Sequence, residues 1–161
     1  MEKTLSYPPT EDELLALDLL TLREHTERAG DVLEPSRHVE MLRASLQSST
    51  LCTVRRNGAL VAYAMLAPTS PNSWFVLGFG IHPDHRTAPV FRELIREFSS
   101  VIEREGIADL KSNVYKTNRL SMAFHRKLGF TVSKENAKAV EFSATIAELV
   151  THETIDRMSS R

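Results

Sequence analysis

One cysteine in 161 residues leaves no intramolecular disulfide to build on. The chain must therefore rely on a packed core, and a lone thiol suits a reducing compartment. Charge of one sign is also missing: 20 Lys and Arg stand against 21 Asp and Glu, without the basic excess that marks most nucleic-acid binders. No apolar run approaches the roughly 20 residues that span a bilayer. The opening MEKTLSYPPTEDE is acidic and polar where a secretion signal would be basic and then apolar. These absences predict a cytoplasmic protein that engages neither nucleic acid nor membrane. What is present suffices for a core: 42% of the residues are apolar, and a chain of this length buries roughly two thirds of the surface its unfolded form exposes. The length predicts a single domain, residues 1–161.

Three stretches differ in pattern. Residues 1–49 read as helical. Thr10 precedes Glu11, Asp12 and Glu13, an N-cap with acids at the positive end of a helix, and the leucines that follow run to a stop at Gly30. A second helix starts at Pro35 and Ser36 and carries Val39, Leu42 and Leu46 at helical spacing. Residues 50–145 then alternate. Leu51–Arg56, Asn57-Gly58 and Ala59–Leu66 read as strand, tight turn and strand, because a type I′ turn needs positive φ at both central positions. Trp74–Ile81 reads as a buried strand whose two glycines suggest a bulge or close approach of a ligand to the backbone. Pro89 to Gly106 holds a broad apolar helical stripe. Strand 107–114, helix 118–128, and strands 130–133 and 139–145 follow. The tail, residues 146–161, opens with helical spacing that Ile155 does not continue. The predicted class is mixed α/β, one sheet partly antiparallel and partly parallel, with a right-handed parallel strand-helix-strand unit from Trp74 to Val114. Such sheets bind ligands where neighbouring strands part.

Two segments carry chemistry together. Phe79-Gly-Ile-His-Pro-Asp-His-Arg86 runs into the amphipathic helix, and some thirty residues on come Val114-Tyr-Lys-Thr-Asn118, Ser121 and Phe124-His-Arg-Lys-Leu-Gly-Phe130. In this order and spacing they resemble the paired signatures of the GNAT superfamily of CoA-dependent N-acyltransferases over roughly residues 50–145. The resemblance implies acetyl-CoA or another acyl-CoA as co-substrate, no metal, and a small-molecule or peptide amine as acceptor, with a homodimer compatible. It implies that the turn Arg86, Thr87, Ala88, Pro89 and Val90 takes the phosphates, and that Ile81, His82, Asn118 and Ser121 join the cofactor site. Backbone N–H groups from Phe79 to Ile81 would polarise the thioester carbonyl, beside a separated edge after Phe79 that pairs with the pantetheine amides. The turn departs from the pattern: Pro89 and Phe91 stand at two glycine positions, removing one phosphate-binding N–H and adding a large side chain.

Where the superfamily often has a tyrosine that protonates the departing thiolate, this chain has His125, which reads either as that general acid or as a surface residue beside Arg126 and Lys127. No acid on Trp74–Ile81 offers a general base, which leaves water and backbone carbonyls, or His25, His38 or Tyr63. His82-Pro-Asp-His85 lacks further ligands for a metal, and Cys52 reads as a buried small hydrophobe. Arg55-Arg56 reads as a solvated pair. Two other functions fit the same residues: a catalytically eroded binding or regulatory module, marked by Pro89 and Phe91, and an acyltransferase taking a longer acyl chain or a carrier-protein donor, with Phe91 lining its pocket.

Overall fold

The computed structural model describes residues 8–151. Three helices come first, α1 (Glu11–Thr21), α2 (Arg23–Arg28) and α3 (Pro35–Leu46), followed by strands β1 (Thr50–Arg56), β2 (Ala59–Pro68) and β3 (Ser73–Ile81). Then come α4 (Ala88–Glu105), β4 (Asp109–Tyr115), α5 (Arg119–Lys127), β5 (Thr131–Glu135), β6 (Ala139–Thr145) and α6 (Ile146–Thr151). The six strands form one mixed sheet in the order β1-β2-β3-β4-β6-β5, parallel only between β3 and β4. This is the mixed architecture that the alternating patterns predict. None of the described helices is long and apolar enough to cross a membrane.

Local chemistry explains most boundaries. Thr10 caps α1 in a full capping box, its hydroxyl accepting from the Glu13 N–H while the Glu13 carboxyl accepts from the Thr10 N–H. Glu13 also takes a 2.6 Å contact from Arg55 at the β1–β2 hairpin, and this guanidinium holds its carboxyl down at about 2. Arg56 pairs with Glu93 of α4 at 2.7 Å. The two arginines are thus separate ties to two helices rather than a solvated pair. Asn57 and Gly58 both take positive φ, +51° and +82°, as the predicted turn requires. The expected single helix up to Gly30 is instead broken at Leu22, whose φ of −115° ends α1 before α2 begins.

The sheet is covered on both faces of its first half. Cys52, Ala62, Ala64, Leu66 and Val76 meet Val90, Leu94, Ile95 and Val101 of α4 on one face. Leu14 and Leu17 of α1 and Leu42 of α3 meet Tyr63 and Met65 of β2 on the other. Cys52 is fully buried and burial pushes its thiol up to about 12, so it is the packing residue its setting predicts.

On the α1–α3 face, Tyr63 is fully buried and its hydroxyl donates to the buried Asp18, whose second carboxyl oxygen lies 2.6 Å from His38 Nε2. Burial, and then the adjacent Asp18, push the Tyr63 phenol well above its ordinary range. The Tyr63 ring occupies the space a side chain at position 78 would need: a Cβ on Gly78 would sit 2.7 Å from the Tyr63 oxygen. A Cβ on Gly80 would sit 3.1 Å from the Thr21 hydroxyl. The two glycines pack against Tyr63 and α1, and the bulge that they suggest in this strand lies beside them at Leu77. Gly78→Ala is expected to destabilise the fold by about 1–3 kcal/mol, and by less in a Tyr63→Phe background that removes the crowded oxygen. Urea denaturation of the single and double variants checks this.

Candidate functional site

β3 and β4 pair over only four positions, Ser73 to Val76 against Asp109 to Ser112. Beyond Val76, β3 continues to Ile81 against β2 alone, and β4 continues to Tyr115 against β6 alone. The divergence begins at a bulge. Leu66 opposes Val76 and Met65 opposes Gly78, so Leu77 is the extra residue in β3, and such an insertion bends and twists its strand. The strands thus part three residues earlier than the edge after Phe79 that the motif implies. Backbone from Leu77 onward faces an open wedge.

That wedge leads into a cleft of about 500 Å³. The N-terminus of α4 forms its cofactor end. Thr87 is the N-cap without a side-chain bond, and Pro89 lies within the first turn. The Phe91 N–H closes the first helical bond on the Thr87 carbonyl, so the Ala88 and Val90 N–H groups are the turn's donors without an intrahelical acceptor. Arg86 is exposed and its Nε donates to the Ile81 carbonyl across the loop at 3.3 Å. Of the residues expected to hold cofactor, Ile81, Arg86, Thr87, Ala88, Asn118 and Ser121 line this cleft, as does Phe79. His82, Pro89 and Val90 do not appear on its wall. The His82 ring accepts from the Asp84 N–H within its own loop, and the Val90 side chain is buried in the core. Asn118 caps α5, its side-chain oxygen accepting from the Ser121 N–H at 3.1 Å.

The other wall comes from α1 and α2 through Thr21, Leu22 and His25. Two bonds hold α2 and the turn after it there: the Thr117 hydroxyl donates to the His25 carbonyl at 2.7 Å, and the Tyr115 hydroxyl donates to Asp31 at 2.8 Å. Lys138 donates to the other Asp31 oxygen at 2.6 Å. Of the three side chains the sequence offered as a base, His38 and Tyr63 are engaged on Asp18, and only His25 lines the cleft. Its Nδ1 is shielded from solvent and has no hydrogen-bond partner.

His125 is 5% exposed, so it is no surface residue. Its ring stacks on Phe142 at 5.0 Å and meets the edge of Phe130 at 5.1 Å. Nδ1–H donates to the Ser121 carbonyl at 2.8 Å, which leaves Nε2 to accept from the Ser112 hydroxyl at 3.1 Å. Ser112 is the last β4 residue paired with β3, so this hydroxyl stands where the strands part, with the imidazole behind it. Sequence reading missed Ser112, because only the β4–α5 packing brings a serine thirteen residues upstream onto the ring. Burial holds the imidazole pKa below its ordinary 6.5, partly offset by the Ser121 carbonyl.

The sign of the resulting pH effect follows. Above pH 6.5 the ring is neutral in both folded and unfolded chains; below it the unfolded chain takes up a proton that the folded one resists, so stability falls. Glu13, held at about 2, adds its own loss only below its ordinary 4.5. The melting temperature should therefore drop between pH 7 and pH 5, and His125→Phe should flatten that limb in a thermal-melt series.

The aromatic neighbours complete the wall: Phe79 stacks on Phe124 at 5.1 Å, and Phe91 meets Phe124 edge-on at 4.7 Å. The large residue at a family glycine position thus packs into an aromatic row between β3, α4 and α5.

Known proteins share this fold. In sequence, no curated protein matches the chain. In structure, it is similar to a PaiA N-acetyltransferase from Thermoplasma acidophilum in complex with coenzyme A, at 15% identity and a TM-score of 0.66, over 84% of this chain and 92% of that one. It is similar also to an aminoglycoside 6'-N-acetyltransferase complexed with coenzyme A, at 13% identity and a TM-score of 0.68, over 91% and 96%. A third is a GNAT acetyltransferase from Elizabethkingia anophelis with acetyl-CoA bound, at 14% identity and a TM-score of 0.62, over 89% and 94%. The sequence itself matches the acetyltransferase (GNAT) family over residues 16–130. With the fold and the family match in agreement, this chain belongs to the GNAT acetyltransferase family.

Proposed function

We propose that the protein transfers an acyl group from acyl-CoA to the nitrogen of a small monoamine, with acetyl-CoA the smallest donor. The observation that carries this reading is the open β3 edge beside the α4 N-terminus, where unpaired strand backbone and helix donors stand at the two ends of one cleft. Acyl-CoA supplies an activated acyl carbonyl. Toward it the chain offers the Ala88 and Val90 N–H groups and Arg86 for the phosphates, and the free β3 backbone for the amide-bearing arm. These residues fit that ligand in spite of Pro89, because two of the turn's donors remain.

His25, on the wall opposite the cofactor end, takes the proton that the attacking amine must lose. Backbone N–H groups between Phe79 and Ile81 polarise the carbonyl under attack. Ser112 presents its hydroxyl at the vertex, and His125 acts through it. Burial disfavours the charged imidazole at rest, so the proton that the amine releases to His25 is the one that must reach the ring, across the water of the cleft, before Ser112 hands its own proton to the departing sulfur and takes that one in exchange; the negative charge growing there favours the protonated ring. Among the described residues lining the cleft are Arg86, Lys127, His25 and His125, and no carboxylate. A polycation finds no counter-charge there, which is why a monoamine is the proposed acceptor.

Isothermal titration with acetyl-CoA and with desulfo-CoA tests the reading directly. Binding of both is expected, and silence from both at millimolar concentration contradicts it. His125→Phe should lower kcat by roughly 100-fold, within the range of general acid catalysis, while the CoA affinity changes little. An unchanged kcat would remove His125 from the mechanism.

A further inference from the structure

A second cavity of about 650 Å³ lies on the α4–α5 face of the sheet. Leu94, Ile95, Phe98 and Ile102 of α4 form one side of it, and Leu128 and Phe130 after α5 form another. Ile146 and Leu149 of α6 line it as well. Among the described residues that line it, Glu103 is the one charged side chain, and the His125 imidazole is a further polar group. A dry apolar cavity of roughly 150 Å³ already takes benzene, so this one has room for an extended hydrocarbon chain.

The cavity adjoins the cleft across a common wall. Val76, Phe79, Phe124 and His125 line both. Val76 is the last β3 residue paired to β4, so the shared wall stands where the strands part and where the acyl carbonyl would sit. A chain leaving that carbonyl has two ways to go. The α1–α2 side holds His25 and is where the amine must enter, and the space over Gly78 and Gly80 is filled by the Tyr63 ring and Thr21. The other way leads toward the apolar cavity, with only the side chains of the common wall, the stacked Phe79 and Phe124 among them, in between. Phe91, at a glycine position of the family turn, backs Phe124 edge-on from the cleft side of that wall.

We propose that this cavity holds the hydrocarbon tail of a medium-chain acyl group, so that the preferred donor is an acyl-CoA longer than acetyl-CoA. The inference rests on the acyl-CoA reading above and specifies its donor. Transfer itself is unchanged: the amine nitrogen bonds to the acyl carbon, the carbon–sulfur bond breaks, and the proton lost by nitrogen is balanced by the one gained by sulfur.

Titration of the full chain with CoA, acetyl-CoA and octanoyl-CoA tests it. Each methylene removed from water strengthens binding by at most roughly fourfold, and octanoyl carries six more than acetyl. Octanoyl-CoA is expected to bind about thirtyfold or more tightly than acetyl-CoA. Ser99→Phe, which puts a ring into the cavity from α4, should cut that advantage by about tenfold and leave acetyl-CoA within twofold. Ala108→Leu, on the opposite rim, serves the same purpose should Ser99→Phe fail to fold. Equal affinity for acetyl-CoA and octanoyl-CoA overturns the inference while the acyltransferase reading stands; no binding of any CoA species overturns both. An octanoyl advantage untouched by either variant also overturns it, because the tail would then lie elsewhere. A dimer in sedimentation that Ile102→Glu dissociates would assign the apolar face to a second copy and contradict the proposal.

Discussion

Four residue pairs of parallel sheet, ending at Val76 and Ser112, govern the layout of the site. Had the pairing continued to Ile81 and Tyr115, the backbone donors and acceptors of both strands would be satisfied and no edge would face a ligand. It stops where the Leu77 bulge turns β3 away, while β2 and β6 keep the far edges of β3 and β4 paired. An interior sheet thereby acquires two short edges without becoming an aggregation-prone outer strand. The cleft, the α4 N-terminus and the Ser112 hydroxyl are all placed by that one interruption.

The two faces of the sheet then divide the work. On the α4–α5 face lie the helix donors, the aromatic row and the buried His125–Ser112 pair. On the α1–α3 face, the Tyr63–Asp18–His38 cluster fixes the floor beneath the glycines of β3, and the Tyr115–Asp31 and Thr117–His25 bonds hold α2 and the turn after it over the opening. Burying a carboxyl such as Asp18 is costly without partners, so the phenol and imidazole that meet it act as structural members. This is the physical reason to separate His38 and Tyr63, which are engaged, from His25, which faces the cleft.

Much of the fold was legible because its signals are local. The Thr10 cap, the Asn57-Gly58 turn, the α4 stripe ending at Gly106 and the β3–α4–β4 order follow from spacing and turn chemistry. The family of the chain was legible in the paired motifs. The chemistry around the motifs was less so, because it depends on residues far apart in sequence. Tyr63 beside Gly78, Ser112 against His125, and Arg55 against Glu13 become neighbours only once helices and strands are packed. The break at Leu22 carries no glycine or proline to announce it. The glycines of β3 suggest a bulge, but its place, and with it the beginning of the wedge at Val76 rather than after Phe79, depends on an inserted residue that is an ordinary leucine.

Amide hydrogen exchange with and without CoA shows whether the parted β3–β4 edge receives the amide-bearing arm of acyl-CoA. Protection is expected to rise at Phe79 to Ile81 and at Ala88 and Val90, with β1 and β5 unaffected. Unchanged exchange at those amides under saturating CoA, or protection confined to other parts of the sheet, would contradict it.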